Sequence, residues 1–207
     1  MLGKTKIAVL VSGGGTNLQA LIDAQSSGTL YSGEISLVIS NNPNAFALER
    51  ASKAGIKTLV ICKKDFSSSA EFENAIVSAL EENDIDLIVL AGFMCILSSA
   101  FTSKYPERII NVHPSLIPSF CGQGFYGLKV HEAALNYGVK VTGATVHFVN
   151  DIPDGGKIIF QKAVDIQPDD TPEILQKRVM EQAEWELLPK AAEKVSFDIL
   201  NIKSNGE

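Results

Sequence analysis

The chain has 207 residues, 45% of them hydrophobic and 20% charged, which is typical of one globular domain that folds without disulfide bonds. Its net charge of −6 argues against a nucleic-acid-binding surface, because phosphate backbones require a clustered basic face. The three cysteines are far apart, and no apolar run is long enough for a signal peptide or a membrane span. We therefore expect a cytoplasmic protein without a metal site that contacts neither nucleic acid nor membranes.

The first predicted element is a buried strand at Ile7–Val11, followed by three consecutive glycines and a helix that begins near Leu18. Such a unit directs free backbone N–H groups and the positive end of the helix dipole at one point, which suits a phosphate. The turn lacks the third glycine of a dinucleotide fingerprint and the Gly-Lys-Ser/Thr ending of a P-loop. A monophosphate is therefore favoured, and the alternative is a turn that binds no ligand.

Strands and helices then alternate along the chain. Apolar runs predict strands at 35–39, 57–61 and 86–91, and helical periodicity predicts helices at 45–53 and 67–82. This order predicts an α/β fold with a doubly wound, mostly parallel, Rossmann-like sheet and helices on both faces. Ligands of such sheets bind at the carboxyl ends of the strands, where the glycine turn and an apolar loop at residues 92–97 both lie.

The segment from Asn111 to Pro118 carries the main chemical signal. It follows the strand that ends near Ile110, and its two prolines keep it out of a helix. Asn111 and His113 are two residues apart, so they project to the same side of an extended chain. An amide beside an imidazole can stabilise an oxyanion and transfer a proton, as acyl transfer requires. The alternative is a polar turn with a surface histidine.

The next segments are a glycine- and aromatic-rich loop at 119–127 and a helix at 128–137. The loop is interpreted either as a lid over the site or as a packed surface loop. We expect His131, on this helix, to be structural or solvated.

The last third of the chain predicts strands at 141–149 and 157–164, an antiparallel pair added to the sheet. His147, on the first of them, either faces the crevice or occupies an ordinary polar position. A final helix is predicted to begin after Asp170 or Thr171, before a frayed tail at 201–207. Its predicted buried side consists of Ile174, Leu175, Val179, Ala183 and Leu187.

Three motifs occur together, in order and at compatible spacing. They are the glycine turn at 12–18, the segment Asn111-x-His113-Pro114-Ser115-Leu116-x-Pro118, and Asp154-Gly155-Gly156. Together they resemble the formyltransferase family that uses 10-formyltetrahydrofolate, and the similarity extends over roughly residues 6–194. The resemblance implies transfer of a formyl group from this folate co-substrate to the amine of 5′-phosphoribosylglycinamide, a step of de novo purine biosynthesis.

The resemblance also implies the organisation of the chain. A single domain would span 1–200, with a phosphate-binding Rossmann-like half at 1–110 and a catalytic and folate-binding half at 111–200, followed by the tail at 201–207. The implied partners are glycinamide ribonucleotide and the folate, for a protein that is a monomer or a homodimer.

Site residues follow from the same resemblance. The implied catalytic residues are Asn111, His113 and Asp154, with Asp154 orienting His113 and favouring its charged form. The implied phosphate and ribose contacts are Gly15, Thr16, Asn17 and Glu184, with Gln182 as the alternative to Glu184. The implied folate contacts are Met94, Cys95, Ile96, Leu97, Asn111, Asn150, Asp151, Ile152, Pro153 and Asp154.

Some positions depart from the family pattern. Cys95 and Ala70 stand where the family often has arginine, and Lys157 stands where proline is common. The loop from Cys121 to Gly127 is also longer than in the best-known members.

Other functions agree less well with the sequence. A formyltransferase acting on initiator tRNA would require an additional basic domain. A formyltetrahydrofolate hydrolase would leave the glycine turn without a ligand, and a non-catalytic folate- or nucleotide-binding module would not require Asn111, His113 and Asp154. A nicotinamide dehydrogenase is disfavoured because Asn41 and Asn42, not an acidic residue, follow the second strand.

Overall fold

The computed structural model describes residues 3–205, in which seven strands form one sheet. The strands are β1 (Thr5–Val11), β2 (Gly33–Ser40), β3 (Lys57–Val60), β4 (Leu87–Leu90), β5 (Ile109–His113), β6 (Val141–Phe148) and β7 (Ile158–Asp165). Their order across the sheet is β3-β2-β1-β4-β5-β6-β7. The first five strands are parallel, and β6 and β7 extend the sheet with antiparallel pairing. The predicted fold class and the added antiparallel pair are confirmed.

The helices follow the strands in the expected alternation. They are α1 (Thr16–Ser26), α2 (Phe46–Lys53), α3 (Ser69–Glu82), α4 (Ser99–Thr102), α5 (Leu128–Tyr137), α6 (Pro172–Val179) and α7 (Trp185–Asn205). A 3₁₀ turn at Lys63–Asp65 precedes α3, and a π-helical segment at Met180–Glu184 joins α6 to α7.

Two apolar cores lie on opposite faces of the sheet, because successive residues of a strand point to opposite sides. Ile7, Val9 and Val11 of β1 belong to one core, with α1, α2 and α7 packed above them. Ala8 and Leu10 belong to the other core, which α3 and α4 cover. The continuous apolar run of β1 is therefore explained by burial on both faces.

The direction of winding changes between β1 and β4. From β1 the chain proceeds outward through β2 to β3, and it returns to β4 on the other side of β1. In sheets of this kind the carboxyl ends of the strands on either side of such a switch form a crevice for ligands. The glycine turn after β1 and the loop after β4 therefore open into the same crevice.

The end of the chain differs from the prediction in three respects. Thr171 is the N-cap of α6, but Ile174 is 49% exposed, so it does not belong to the buried side. The single predicted helix is interrupted by the π-helical segment. Helix α7 continues to Asn205, so residues 201–205 of the predicted tail are helical, and the last two residues lie outside the described range.

No helix in the described part of the chain combines the length and the apolarity needed to cross a bilayer.

The contact between β6 and β7 gives a test of the fold. A Cβ added at Gly143 would lie 2.0 Å from the Lys162 carbonyl oxygen and 2.9 Å from a methyl group of Leu116. We expect Gly143→Ala to lower the free energy of unfolding by about 1–3 kcal/mol, the usual cost of overpacking, as measured by urea denaturation. Gly3→Ala is the control, because its Cβ meets nothing within 4 Å. Equal unfolding free energies for Gly143→Ala and the unmodified protein would contradict this prediction.

Candidate active site

Pairing between β5 and β6 brings polar side chains together at the carboxyl end of β5. Asn111 lies opposite His147, and His113 lies opposite Thr145. The Asn111 Nδ2 atom is 3.3 Å from His147 Nε2. The other ring nitrogen of His147, Nδ1, is 2.8 Å from the Phe148 carbonyl oxygen, which can only accept, so Nδ1 carries a hydrogen. His147 thus faces the crevice, which is one of the two alternatives predicted for this residue.

Asp154 lies between two histidines. Its Oδ2 is 3.5 Å from His113 Nδ1, and its Oδ1 is 3.6 Å from His147 Nε2. The Gly122 N–H donates to Oδ2 at 2.8 Å. Burial raises the pKa of Asp154, but the contacts with His147, His113 and Gly122 together hold that pKa below its ordinary value. Asp154 is therefore a carboxylate at neutral pH.

The loop after β5 holds the other side of His113. The Nε2 atom of His113 donates to the Phe120 carbonyl oxygen at 2.9 Å, so Nε2 carries a hydrogen in this conformation. Burial lowers the pKa of His113 more than the Phe120 carbonyl and the Asp154 carboxylate raise it. When His113 is protonated, both of its N–H groups face acceptors. The loop therefore contacts the catalytic candidates directly, and the packing of Phe120 on Phe125 and Tyr137 stabilises it.

A cavity of ≈ 630 Å³ connects these groups to most of the other predicted site residues. Its lining includes Asn17, Met94, Cys95, Ile96, Leu97, Asn111, His113, Asn150, Asp151, Ile152, Pro153, Asp154 and Glu184. Gly15 and Thr16 do not line the cavity, although they adjoin it through Asn17. The sequence-predicted residues thus converge on one crevice, with the glycine turn at its border.

The glycine turn has the geometry of an anion site. Gly15, with φ of +71°, is the N-cap of α1 and offers no side-chain cap to the first-turn N–H groups. The Gly13 carbonyl accepts from the Ala47 N–H at 3.1 Å, and the Gly14 carbonyl accepts from Arg50 Nε at 2.9 Å. These bonds to α2 fix the turn, and its amides at the amino terminus of α1 can bind an anion.

Glu184 closes the end of the cavity next to the glycine turn. Its Oε2 accepts from Asn17 Nδ2 at 2.7 Å, and the residue is buried. Burial raises the pKa of Glu184 to about 7, although the hydrogen bond from Asn17 opposes the shift. Gln182 is exposed, so the structure places Glu184 and not Gln182 at the cavity.

Two contributions to the site were not predicted from the sequence. The Phe120 carbonyl and the Gly122 amide are backbone groups. Their hydrogen-bond partners do not depend on residue type, so the sequence pattern gives no indication of them. His131 is fully buried in the cavity wall, so the expectation that it could be solvated was wrong. The signal available in the sequence was its position one helical turn after Gly127, the residue at which the glycine-rich loop ends and α5 begins.

Within residues 3–205, no group of three or more histidine, cysteine or acidic side chains is arranged to hold a metal ion.

Comparison with known proteins agrees with this geometry. The sequence profile of formyl transferases matches residues 5–192. Phosphoribosylglycinamide formyltransferase of Haemophilus influenzae is 42% identical over 200 residues, which cover 97% of this chain and 91% of that protein. The trifunctional purine biosynthetic protein adenosine-3 of Gallus gallus is 45% identical over 204 residues. The chain spans only 20% of the length of that relative.

Solved structures show the same relationship. Glycinamide ribonucleotide transformylase 1 of Symbiobacterium toebii superposes with a TM-score of 0.86 at 39% identity, over 92% of this chain and 86% of that one. The phosphoribosylglycinamide formyltransferase of Coxiella burnetii gives a TM-score of 0.86 at 42% identity, over 95% and 89% of the two chains. On this sequence and structural similarity, the chain belongs to the formyl transferase family.

Proposed function

We propose that this protein transfers a formyl group from 10-formyltetrahydrofolate to the amine of 5′-phosphoribosylglycinamide, in de novo purine biosynthesis. The observation that carries the proposal is the convergence of Asn111, His113 and Asp154 on a cavity that ends at Asn17 and Glu184. Relatives named for this activity, one of them matched over 91% of its length, support it. We place the enzyme in the cytoplasm, as a monomer or a homodimer whose partners are its small-molecule substrates.

The nucleophile in this reaction is the amine of the ribonucleotide, so the enzyme requires no serine or cysteine nucleophile. A bond forms between the amine nitrogen and the formyl carbon, the bond from that carbon to the folate nitrogen breaks, and a proton passes from the amine to the folate. Negative charge develops on the formyl oxygen between these events. In the proposal, the Asn111 amide, whose Nδ2 lies 3.3 Å from His147 Nε2 on β6, donates a hydrogen bond to that oxygen.

In the proposal, His113 and Asp154 assist the transfer of the proton from the amine to the folate. The Asp154 carboxylate faces His113 Nδ1 and favours the imidazolium, which can then donate to the formyl oxygen or return a proton to the folate nitrogen. In the structure, His113 Nε2 donates a hydrogen bond to the Phe120 carbonyl oxygen. His113 therefore reaches the substrate through Nε2 only when the loop at 119–127 releases that hydrogen bond.

The acceptor substrate fits the opposite end of the cavity. In the proposal, the amides of Gly15, Thr16 and Asn17 bind the phosphate at the amino terminus of α1. The Glu184 carboxyl group accepts hydrogen bonds from the ribose hydroxyls. Because the pKa of Glu184 lies at about 7, it can also donate when protonated.

In the proposal, the folate binds along the remaining wall of the active-site cavity. Apolar side chains that a soluble protein ordinarily covers are exposed there, at Met94, Ile96 and Ile152. They belong to the segments 94–97 and 150–154, which we assign to binding of the pterin ring. Cys95 keeps its sulfur turned to Asn41 Nδ2, at 3.1 Å, so it can offer its main chain to the ring without the arginine that is common in the family.

The direct test is a formyl-transfer assay. The protein is mixed with 10-formyltetrahydrofolate, and release of deformylated folate is followed with and without glycinamide ribonucleotide. The proposal predicts release that requires the ribonucleotide. Release without the ribonucleotide would indicate a hydrolase, and folate binding without release would indicate a non-catalytic module.

The catalytic assignments predict large losses of activity. Asn111→Ala should reduce turnover by ~10²–10³, the usual effect of removing one oxyanion donor, and His113→Ala and Asp154→Ala should also reduce it strongly. Steady-state kinetics measure the effect, and circular dichroism checks the fold. Asn136→Ala, on the exposed side of α5, is the matched control. Near-normal turnover in any of the three variants would remove that residue from the catalytic group.

The phosphate site predicts a specific loss of acceptor affinity. A Cβ added at Gly15 would lie 2.6 Å from Ala47 Cβ, so Gly15→Ala must shift the turn. We expect the KM for the ribonucleotide to rise about tenfold or more, the effect of losing a hydrogen bond to a charged group. Gly28→Ala is the control, because it shares the left-handed backbone, with φ of +79°, but has nothing within 4 Å of its Cβ. Equal KM values in the two variants would disprove the assignment.

The pairing of Asp154 with His113 predicts a change in titration. Because the Asp154 carboxylate raises the pKa of His113, Asp154→Asn should lower that pKa further below its ordinary value. The imidazole C–H proton resonance followed against pH by NMR measures the change. Asp151→Asn, an exposed change in the same turn, should leave the resonance unaffected. A higher or unchanged pKa of His113 in Asp154→Asn would contradict the electrostatic role.

A further inference from the structure

His131 is an unpaired imidazole in the wall of the active-site cavity. Its side chain is fully buried, and neither Nδ1 nor Nε2 has a hydrogen-bond partner within the described range 3–205. Leaving buried polar atoms unpaired costs about 1–3 kcal/mol, so native proteins rarely keep such a group without a partner. The cavity is the side on which a partner can reach this ring.

The ring is neutral. Burial, together with the charge of nearby His113, lowers the pKa of His131 to about 4. A neutral imidazole has one N–H donor and one nitrogen acceptor. It can therefore bind a neutral polar group of a ligand through either ring nitrogen, as a donor or as an acceptor, and it carries no charge of its own to attract an anion.

The position of His131 indicates which region of the cavity its side chain can contact. Helix α5 packs against α6, and the continuation of α6 carries Met180 and Glu184 into the cavity wall. Helix α5, which carries His131, therefore borders the part of the cavity that Met180 and Glu184 line, and His131 lies within electrostatic range of His113. The segments proposed for the folate, 94–97 and 150–154, belong to other elements of the fold.

An acceptor substrate that spans this region has one chemical group between its two ends. Its amine must approach Asn111 and His113, and its ribose must approach Glu184. The amide of the glycinamide, with one carbonyl oxygen and one N–H, connects amine and ribose. Its N–H can donate to the unprotonated ring nitrogen of His131, or its carbonyl oxygen can accept from the ring N–H.

Resting on the proposed function, we infer that His131 is a specificity-determining residue that hydrogen-bonds the glycinamide amide of the acceptor substrate. It distinguishes a ribonucleotide with this amide from sugar phosphates that lack it. A ligand that lacks the amide leaves the buried ring of His131 without a hydrogen bond. Such a ligand binds much more weakly, because no hydrogen bond then offsets the cost of keeping the ring out of water.

Binding of two ligands tests the inference. Calorimetry compares glycinamide ribonucleotide with ribose 5-phosphate, which lacks the amide, in the unmodified protein and in His131→Leu. We expect His131→Leu to weaken the ribonucleotide about tenfold to a hundredfold and to leave ribose 5-phosphate unchanged. In kinetics, the KM for the ribonucleotide should rise while the KM for the folate stays constant. His131→Gln, which keeps a donor and an acceptor, should recover part of the affinity.

Two controls separate this role from a structural one. Val130→Ala removes buried volume from the same helix at a residue that does not line the cavity, so it should lower stability without changing ribonucleotide affinity. In the unmodified protein, the ring ¹⁵N resonances of His131 should shift with the ribonucleotide and not with ribose 5-phosphate. This measurement does not depend on whether the variants fold.

The outcomes are distinct. Equal losses for both ligands, no loss for either, or ring resonances insensitive to the ribonucleotide would overturn the role of His131 while transfer by the unmodified protein continued. Failure of the unmodified protein to bind or formylate the ribonucleotide would overturn the proposed function and this inference with it.

Discussion

The site depends on how the Asp154 carboxylate is stabilised in partial burial. Taking a charge out of water is costly unless donors or opposite charges surround it. Asp154 is surrounded by His113 of β5, His147 of β6 and the Gly122 amide of the following loop. Strand pairing, the turn after β6 and the loop after β5 must all be correct for these contacts to exist together. The antiparallel extension of the sheet is therefore a requirement of the site, because β6 supplies His147 and leads into the turn of Asp154.

Much of this arrangement was predictable from the sequence because it is carried by local patterns. Apolar runs separated by helical periodicity predicted the parallel sheet, and the two-residue spacing of Asn111 and His113 predicted their common face. The role of His147 depends on its register opposite Asn111, and strand register is set by non-local pairing that a single sequence does not specify. The bonds from the Phe120 carbonyl and the Gly122 amide were beyond prediction for another reason, since any residue type supplies the same backbone groups.

The π-helical segment explains why the last helix was hardest to predict. A π turn accommodates one extra residue relative to an α-helix, so it changes the direction of every side chain that follows. Glu184 is the last residue of this segment, and its carboxyl group is turned into the cavity toward Asn17. The resemblance left Gln182 open as the alternative to Glu184, and the structure exposes Gln182. The predicted buried side also included Ile174, which the structure exposes. Such irregular turns are common at functional sites.

The hydrogen bond from His113 Nε2 to the Phe120 carbonyl has a consequence for the stability of the formyl donor. Water is a competing nucleophile wherever an activated acyl group is bound. In the proposed reaction, a folate that arrives first meets an imidazole whose only Nε2 proton is already engaged, so the formyl oxygen gains no stabilisation from it. In the proposed reaction, activation of the formyl group by His113 is then tied to release of the loop rather than to binding of the folate. An enzyme built in this way protects a costly one-carbon unit from hydrolysis while it waits for the amine.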